Sequence, residues 1–345
     1  METPVPERRL LLAGQSLPEL AGLLGSRARA LEVLRWMHSA PAEGSVPKIS
    51  AERWQLLLTR CQLPTAEVVE RSVSEDGTTK FLLGLNGVQV ETVAIPTEGR
   101  TTICVSSQSG CSRKCVFCAT AKIGFNRNLV AGEILTQYLI AARAAPPDAP
   151  ARNVVFMGMG EPMDNLDQVL HAVELLTQAP APMLRAERIT VSTSGILPGM
   201  ERFLREGKAS LALSLNATTD VQREALMPQT RQYPIAALMD ALREDRVLNP
   251  KRFHFIEYVL FDGVNDTDED ADRMVALLAG TNSRVNLIPH NPFPGSPLSP
   301  PRPERMLAVQ QRVAAAKIRC LVRMPRGQEI SAACGQLARR RGEAA

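Results

Sequence analysis

From about residue 100 onward, short β-rich runs alternate with amphipathic stretches of helical length. The runs fall at 101–107, 153–157, 188–193, 210–215, 254–260 and 284–288. Helix-period stretches separate them at 131–143, 165–177, 197–206, 234–247, 267–279 and 302–316. Start signals agree with several of these: Asp164 and Asn165 cap the second, Pro234 suits a first turn, and the acidic stretch 266–270 complements a helix N-terminus. Strands that alternate with helices predict a parallel sheet with the helices outside it, because parallel neighbours require a crossover. Six units are fewer than the eight of a closed barrel, which leaves an open partial barrel or a doubly wound sheet.

The first 95 residues carry a different pattern. Short helices are predicted at 18–24, 29–37 and 52–61, then strands at 68–73, 80–85 and 88–95, with Asp76-Gly77 and Asn86-Gly87 as hairpin turns. Residues 1–95 therefore read as a small α+β accessory domain. The stretch 144–150 (AAPPDAP) is a break between units, and the charged tail LARRRGEAA is expected to fray.

Composition narrows the class. Of 345 residues, 45% are apolar and 22% charged, too apolar for disorder and without fibrous periodicity. No run has the roughly 18 to 20 apolar residues of a membrane span, and the apolar part of METPVPERRLLLAG is too short for a secretory signal. A cytoplasmic protein is the expectation. A net charge of +4 permits an anionic partner without pointing to one.

Seven cysteines change the picture more. The count is odd, and Cys111, Cys115 and Cys118 form a C-x3-C-x2-C cluster just after the first parallel strand. Such a position is where parallel α/β folds build their sites. Three thiolates can hold three irons of a four-iron cluster and leave the fourth open to a ligand. Structural zinc is the competing reading, but it wants four ligands, and none of the four histidines sits at finger spacing. Other strand ends carry glycine or small polar groups: MGMGEP at 157–162, STSG at 192–195, SLN at 214–216 and IPHNPF at 288–293. Each alone is ordinary turn chemistry. Together with the thiols on one rim they predict a composite site.

These segments, with EDGTTKF, VETVAIP, CVSSQSGCSRKCVFCATAKIGFNRNL, VVFMGMGEPMDNL, LALSLNA, VNLIPHNPFPG and EISAACGQL, identify the chain as resembling the radical S-adenosylmethionine (SAM) RNA methylases typified by RlmN and Cfr. The resemblance implies a partial (β/α)6 barrel of the radical SAM type over 97–327, an N-terminal accessory domain over 1–95 that docks RNA, and a C-terminal segment over 328–345. It implies that Cys111, Cys115 and Cys118 ligate a [4Fe–4S] cluster and that Gly160, Glu161, Ser192, Ser214, Leu215, Asn216 and Asn291 contact SAM. Cys334 matches the cysteine that is methylated as an intermediate, Cys104 the resolving thiol that pairs with it in a transient disulfide, and Glu91 a proton acceptor. The implied reaction spends two SAM molecules per turnover. One methylates Cys334; the other yields a 5′-deoxyadenosyl radical that activates the S-methyl group for addition to an adenine carbon.

The implied substrate is C2 of a 23S rRNA adenosine, with tRNA as a further target, and the implied electron donor is a flavodoxin or ferredoxin serving a monomeric enzyme. Three departures bear on this: Asn216 stands where the family usually has His, Gln328 where an acid is frequent, and Thr230 where Asn is common. They leave a C8 methylase, a paralogue with another RNA target, and a radical SAM enzyme with a non-RNA substrate as alternatives. Cys61 and Cys320 match no functional position and read as packing residues. Arg27, Arg29, Arg113, Lys114, Arg127 and Arg339–Arg341 could follow phosphates, although a solvated face accounts for each.

Overall fold

The computed structural model describes residues 9–39, 44–178, 180 and 183–338, so Arg339–Arg341 and the rest of the tail lie outside the described residues. Helices α1 (Leu17–Leu24), α2 (Arg27–His38) and α3 (Ala51–Arg60) open the chain. Ser16, Ser26 and Ser50 cap them, each hydroxyl accepting from the backbone N–H three residues on. Their apolar stripes, including Leu20, Leu34 and Leu57, are fully buried.

Ten strands then build one sheet: β1 (Glu67–Val73), β2 (Thr79–Leu85), β3 (Val88–Thr97), β4 (Arg100–Cys104), β5 (Ala151–Phe156), β6 (Ile189–Thr193), β7 (Ser210–Ser214), β8 (His254–Leu260), β9 (Ser283–Pro289) and β10 (Cys320–Val322). Their spatial order is their sequence order. The first four pair antiparallel, through the two expected hairpin turns and a third at Glu98-Gly99, and β4 to β10 pair parallel. Crossovers run through α4 (Ala131–Arg143), α5 (Leu166–Thr177), α6 (Leu197–Glu206), α7 (Asp220–Leu226), α8 (Ile235–Leu248), α9 (Asp268–Leu278) and α10 (Pro303–Ala315).

The six expected parallel strands and six expected helices are all present. Of the sheet strands and helices just described, two were not legible: α7 is two turns long, and β10 is three residues, both too short to express a period. The pairing of β3 with β4 also matters for the site. It joins the hairpins to the parallel half, and register Val93↔Cys104 sets Cys104 beside the strand that carries Glu91.

Across the parallel half, alternate residues such as Leu211, Leu213, Ile256, Tyr258, Val285 and Leu287 are completely buried in one continuous core. The opposite set forms a polar row, in which Ser214, Glu257 and Asn286 sit in register on neighbouring strands. Away from this row, Asp245 of α8 is buried and accepts from His254 Nε2 (2.8 Å), Arg252 Nε (3.0 Å) and Asn249 Nδ2 (3.0 Å). Burial raises its pKa, but the His254 and Arg252 bonds outweigh that and hold the carboxyl below its ordinary value. The resulting stability is complete above the unfolded pKa of roughly 3.9 and is lost as pH falls through the folded one. Asp245→Ala is expected to cost about 3 kcal/mol at neutral pH, since it strands the buried partners. Urea unfolding across pH should show that difference shrinking below about pH 4.

Candidate active site at the strand ends

Beyond β4 the chain forms a short ladder, Gln108–Gly110 against Phe125–Asn128, and the cysteine loop is the excursion between its two strands. Gly110 closes the ladder at φ +81°, where a Cβ would lie 1.8 Å from the Gly124 carbonyl oxygen. Inside the loop, Cys111 N–H donates to Gly124 O (3.0 Å), Arg113 N–H to Cys111 Sγ (3.4 Å) and Cys118 N–H to Cys115 O (3.2 Å). Cys111, Cys115 and Cys118 all line one cleft at the C-terminal ends of the parallel strands. Burial pushes the Cys111 thiol up to about 12 and raises Cys115 well above the ordinary value. Thiols held neutral in this way become ligands only when a metal displaces their protons.

The donor set fits an iron–sulfur cluster. No three His, Cys, Asp or Glu side chains among the described residues are grouped to hold a single ion. A four-iron cluster instead asks each thiol for a different iron and needs only three protein ligands.

The loop after β5 forms the next wall. Gly158 and Gly160 lie against the 105–108 backbone, and a Cβ on Gly160 (φ +106°) would sit 2.6 Å from the Gln108 side chain. Glu161 is buried, and its carboxylate accepts from Ser194 N–H (2.7 Å) and Met163 N–H (3.0 Å). Burial nevertheless raises its pKa. Ser192 and Ser214 stand with hydroxyls 3.4 Å apart on adjacent strands, and both line the cleft. Glycine backbone, a carboxylate and paired hydroxyls suit a ligand that carries an ammonium group and a ribose.

Asn216 also reaches the cleft, in the left-handed region at φ +58°, which Asn tolerates better than most residues. Its amide is already engaged: Oδ1 accepts from Val259 N–H (2.9 Å) and Nδ2 points to Met227 Sδ (3.3 Å). Leu215 is fully buried away from the cleft, and its main chain joins β7 to β8 by donating to Glu257 O (3.0 Å).

The C-terminal segment crosses the mouth of this cleft. Asn291 Nδ2 donates to Cys334 O (3.1 Å), Ala119 N–H to Gly335 O (2.7 Å) and Gln336 Nε2 to Pro292 O (2.9 Å). These bonds bring Cys334 to the same cleft as the three loop thiols. Its side chain opens to the cleft, yet the protein packed around it and the nearby Glu257 push the thiol up to about 11. Cys104 is buried; burial, with Cys334 in electrostatic reach, raises its pKa against a bond from the Met157 amide.

Glu91 is buried beside this cleft rather than among its lining residues, paired with Lys80 (Nζ to Oε1, 3.0 Å). Burial raises the Glu91 carboxyl despite that ion pair and the Ala338 amide that faces it.

Several site residues are not evident from the sequence. Glu257 lines the cleft, anchored by Asn286 Nδ2 (2.7 Å); its signal is a lone carboxylate in an otherwise apolar strand. Arg223 is buried, donates to Ser194 O (2.5 Å) and Leu215 O (3.3 Å), and is pulled down by burial to about 10. It comes from α7, the helix too short to foresee. Two of the basic candidates are committed elsewhere: Arg113 pairs with Asp164, and Arg127 with Glu133.

Comparison with known proteins agrees with this geometry. The sequence model of the radical SAM superfamily matches residues 105–275. A Sorangium cellulosum protein described as a probable RNA methyltransferase is 42% identical over 97% of this chain and 89% of its own. The dual-specificity RNA methyltransferase RlmN of Syntrophobacter fumaroxidans is 44% identical over 80% of this chain and 81% of its own. A crystal structure of a radical SAM methyltransferase from Sphaerobacter thermophilus superposes with a TM-score of 0.88 at 39% identity, covering 95% of this chain and 98% of that one.

Proposed function

Because the chain belongs to the family of radical SAM RNA methyltransferases, we propose that it methylates C2 of an adenosine in 23S rRNA, and of tRNA, through an S-methylated Cys334. The observation that carries this reading is the meeting of Cys334 with the three loop thiols in one cleft, with buried Cys104 alongside. Adenine C2 is a poor nucleophile, so simple displacement of a methyl group by the ring is too slow; a carbon carried on a protein sulfur and activated there avoids that barrier. When bound, the cluster and SAM supply the methyl group and the hydrogen-abstracting radical chemistry, at two SAM per turnover.

The chain supplies the ligands, the positioning, the proton acceptor and both thiols. Cys111, Cys115 and Cys118 would hold the cluster, and Gly160, Glu161, Ser192, Ser214 and Asn216 would surround SAM, with Asn291 fixing the Cys334 main chain. Cys334 presents its sulfur to the adenine, and Glu91, whose carboxyl burial holds above its ordinary value, takes the proton the ring must lose. Cys104 then attacks the Cys334 sulfur as a thiolate: the S–S bond forms, the C–S bond breaks with its electron pair on the product carbon, and that carbon takes up a proton to become the methyl group. An external donor such as a flavodoxin or ferredoxin feeds electrons to the cluster, and the disulfide returns to two thiols only with two further electrons and two protons. Mass mapping of methylated adenosines in rRNA and tRNA, with and without this gene, tests the assignment: a C2 methyl mark should vanish from 23S rRNA, and another from tRNA, in its absence. A lost C8 mark, or no lost mark, would refute it.

RNA must reach this cleft with one base out of its stack. We assign docking to residues 1–95, where Arg27, Arg29 and Arg35 project from α2 as exposed side chains. Replacing all three by Ala should weaken RNA binding and reduce the slope of log K against log salt by roughly 2. Binding titrations at several salt concentrations measure both; an unchanged slope removes α2 from the interface.

A further inference from the structure

The Cys334 thiol is useful only if the segment carrying it is aimed into the cleft, and one side chain ties that segment to the interior. Lys80 lies on β2 and is nearly buried. Its Nζ donates to Glu91 Oε1 (3.0 Å) on one side and to the Ser331 carbonyl (3.4 Å) on the other. The side chains of this ion pair are 11% and 3% exposed, so solvent screens it little. From β1 the Glu70 carboxylate, and from the C-terminal segment the Ala338 amide, also face Glu91.

Ser331 is an unusual place for such a tie. It adopts φ +53°, a left-handed conformation that strains a non-glycine residue. It closes a compact turn, in which Ser331 N–H donates to Gln328 O (2.9 Å) and Ala332 N–H to Gly327 O (2.9 Å). Three residues later comes Cys334. The neighbouring hairpin grips the same turn from outside, through Asp76 with Arg326 Nε (2.6 Å) and Gly327 N–H (3.1 Å), and through Glu75 N–H with Glu329 (3.0 Å). Those contacts are more exposed and anchor the start of the turn. Lys80 links its end to the carboxylate beside the cleft.

We propose that Lys80 is a positioning residue for the methyl-carrying thiol: its ammonium joins Glu91 to the strained Ser331 turn and so fixes the aim of Cys334. The inference rests on the reading of Cys334 given above. Removing the ammonium should free the turn without removing any group that touches substrate.

The test uses the cluster-loaded full chain. Lys80→Met removes the tie but strands Glu91, whereas Lys80→Met/Glu91→Gln removes both charges and protects the fold. In both variants, backbone hydrogen exchange over 328–337 should quicken by about fivefold, the worth of one hydrogen bond. Iodoacetamide labelling at Cys334, read by peptide mass spectrometry while the cluster protects the loop thiols, should change by roughly threefold or more. For Lys80→Met, kcat for RNA methylation should fall by about tenfold with KM little altered, and Lys80→Arg should recover wild-type exchange and most of kcat.

Wild-type exchange and labelling in the double variant would overturn the proposal. So would an unchanged kcat in Lys80→Met, or failure of the arginine to rescue. If instead Cys334→Ala still methylates RNA, the methyl-carrier reading fails, while the exchange and labelling results still report on Lys80 alone.

Discussion

Cys104→Ala should accumulate as a covalent protein–RNA species, and Cys334→Ala should form none. The difference follows from where the two sulfurs act. Cys334 opens to the cleft with its main chain pinned by Asn291, so it is placed to carry the methyl carbon and bond to the base. Without its sulfur, the protein neither gains a methyl group nor attaches to RNA. Cys104 is buried opposite Val93 of β3, within electrostatic reach of Cys334, and has a raised pKa. A thiol of that kind is a poor first nucleophile but suits a late step, when Cys334 has become an electrophilic sulfur.

Its loss therefore leaves loading and addition intact and blocks release. The trapped species should appear as a slow electrophoretic band that ribonuclease collapses, while multiple turnover falls by roughly a thousandfold or more. The double variant should behave like Cys334→Ala, because the earlier step decides. Normal turnover by Cys104→Ala, or trapped RNA with Cys334→Ala, would exclude the two-thiol route for this chain.

Replacing Cys111, Cys115 and Cys118 by Ala should abolish the iron–sulfur cluster together with reductive cleavage of SAM. The three thiols are held by a loop whose closure depends on Gly110 and on its ladder with Phe125–Asn128. Anaerobically prepared wild-type protein should contain four irons and four labile sulfides, seen by iron and sulfide analysis and by the cluster's visible absorption. In the triple variant both should drop to background. The fold should survive, because the loop thiols lie outside the main hydrophobic core that holds the sheet and its helices together. Stoichiometric zinc without labile sulfide in the wild-type protein would instead establish the competing metal site.

Much of this is readable in the order of residues, and the reason is periodicity. Strands of four to eight apolar residues and helices of ten or more carry enough repeats to declare themselves, so the pattern alone places the six β/α units and the two N-terminal hairpins. The C-x3-C-x2-C spacing is legible because neighbouring ligands on one loop need no tertiary contact to be grouped. Short elements are not: α7 and β10 lack repeats, and with α7 goes the buried Arg223 beneath the cleft.

What the sequence determined by itself, then, is whatever depends on near neighbours: the alternation of strands and helices, the hairpin turns and the thiol loop. The expected Asp164-Asn165 cap does not form, since Asn165 makes no cap bond and Asp164 pairs with Arg113. Only the tertiary structure decided which distant residues share the cleft. Cys334 follows Cys111 by more than two hundred positions, and it reaches the loop thiols because Asn291, Ala119 and the Asp76 hairpin each bond the C-terminal segment. Glu257 joins them because strand register sets it in one row with Ser214 and Asn286, and Lys80 meets Glu91 because β2 and β3 pair antiparallel. Hydrogen-bond register between strands and the docking of a chain end are long-range choices, fixed by burial and by the pairing of polar groups across the whole fold, and no local pattern encodes them.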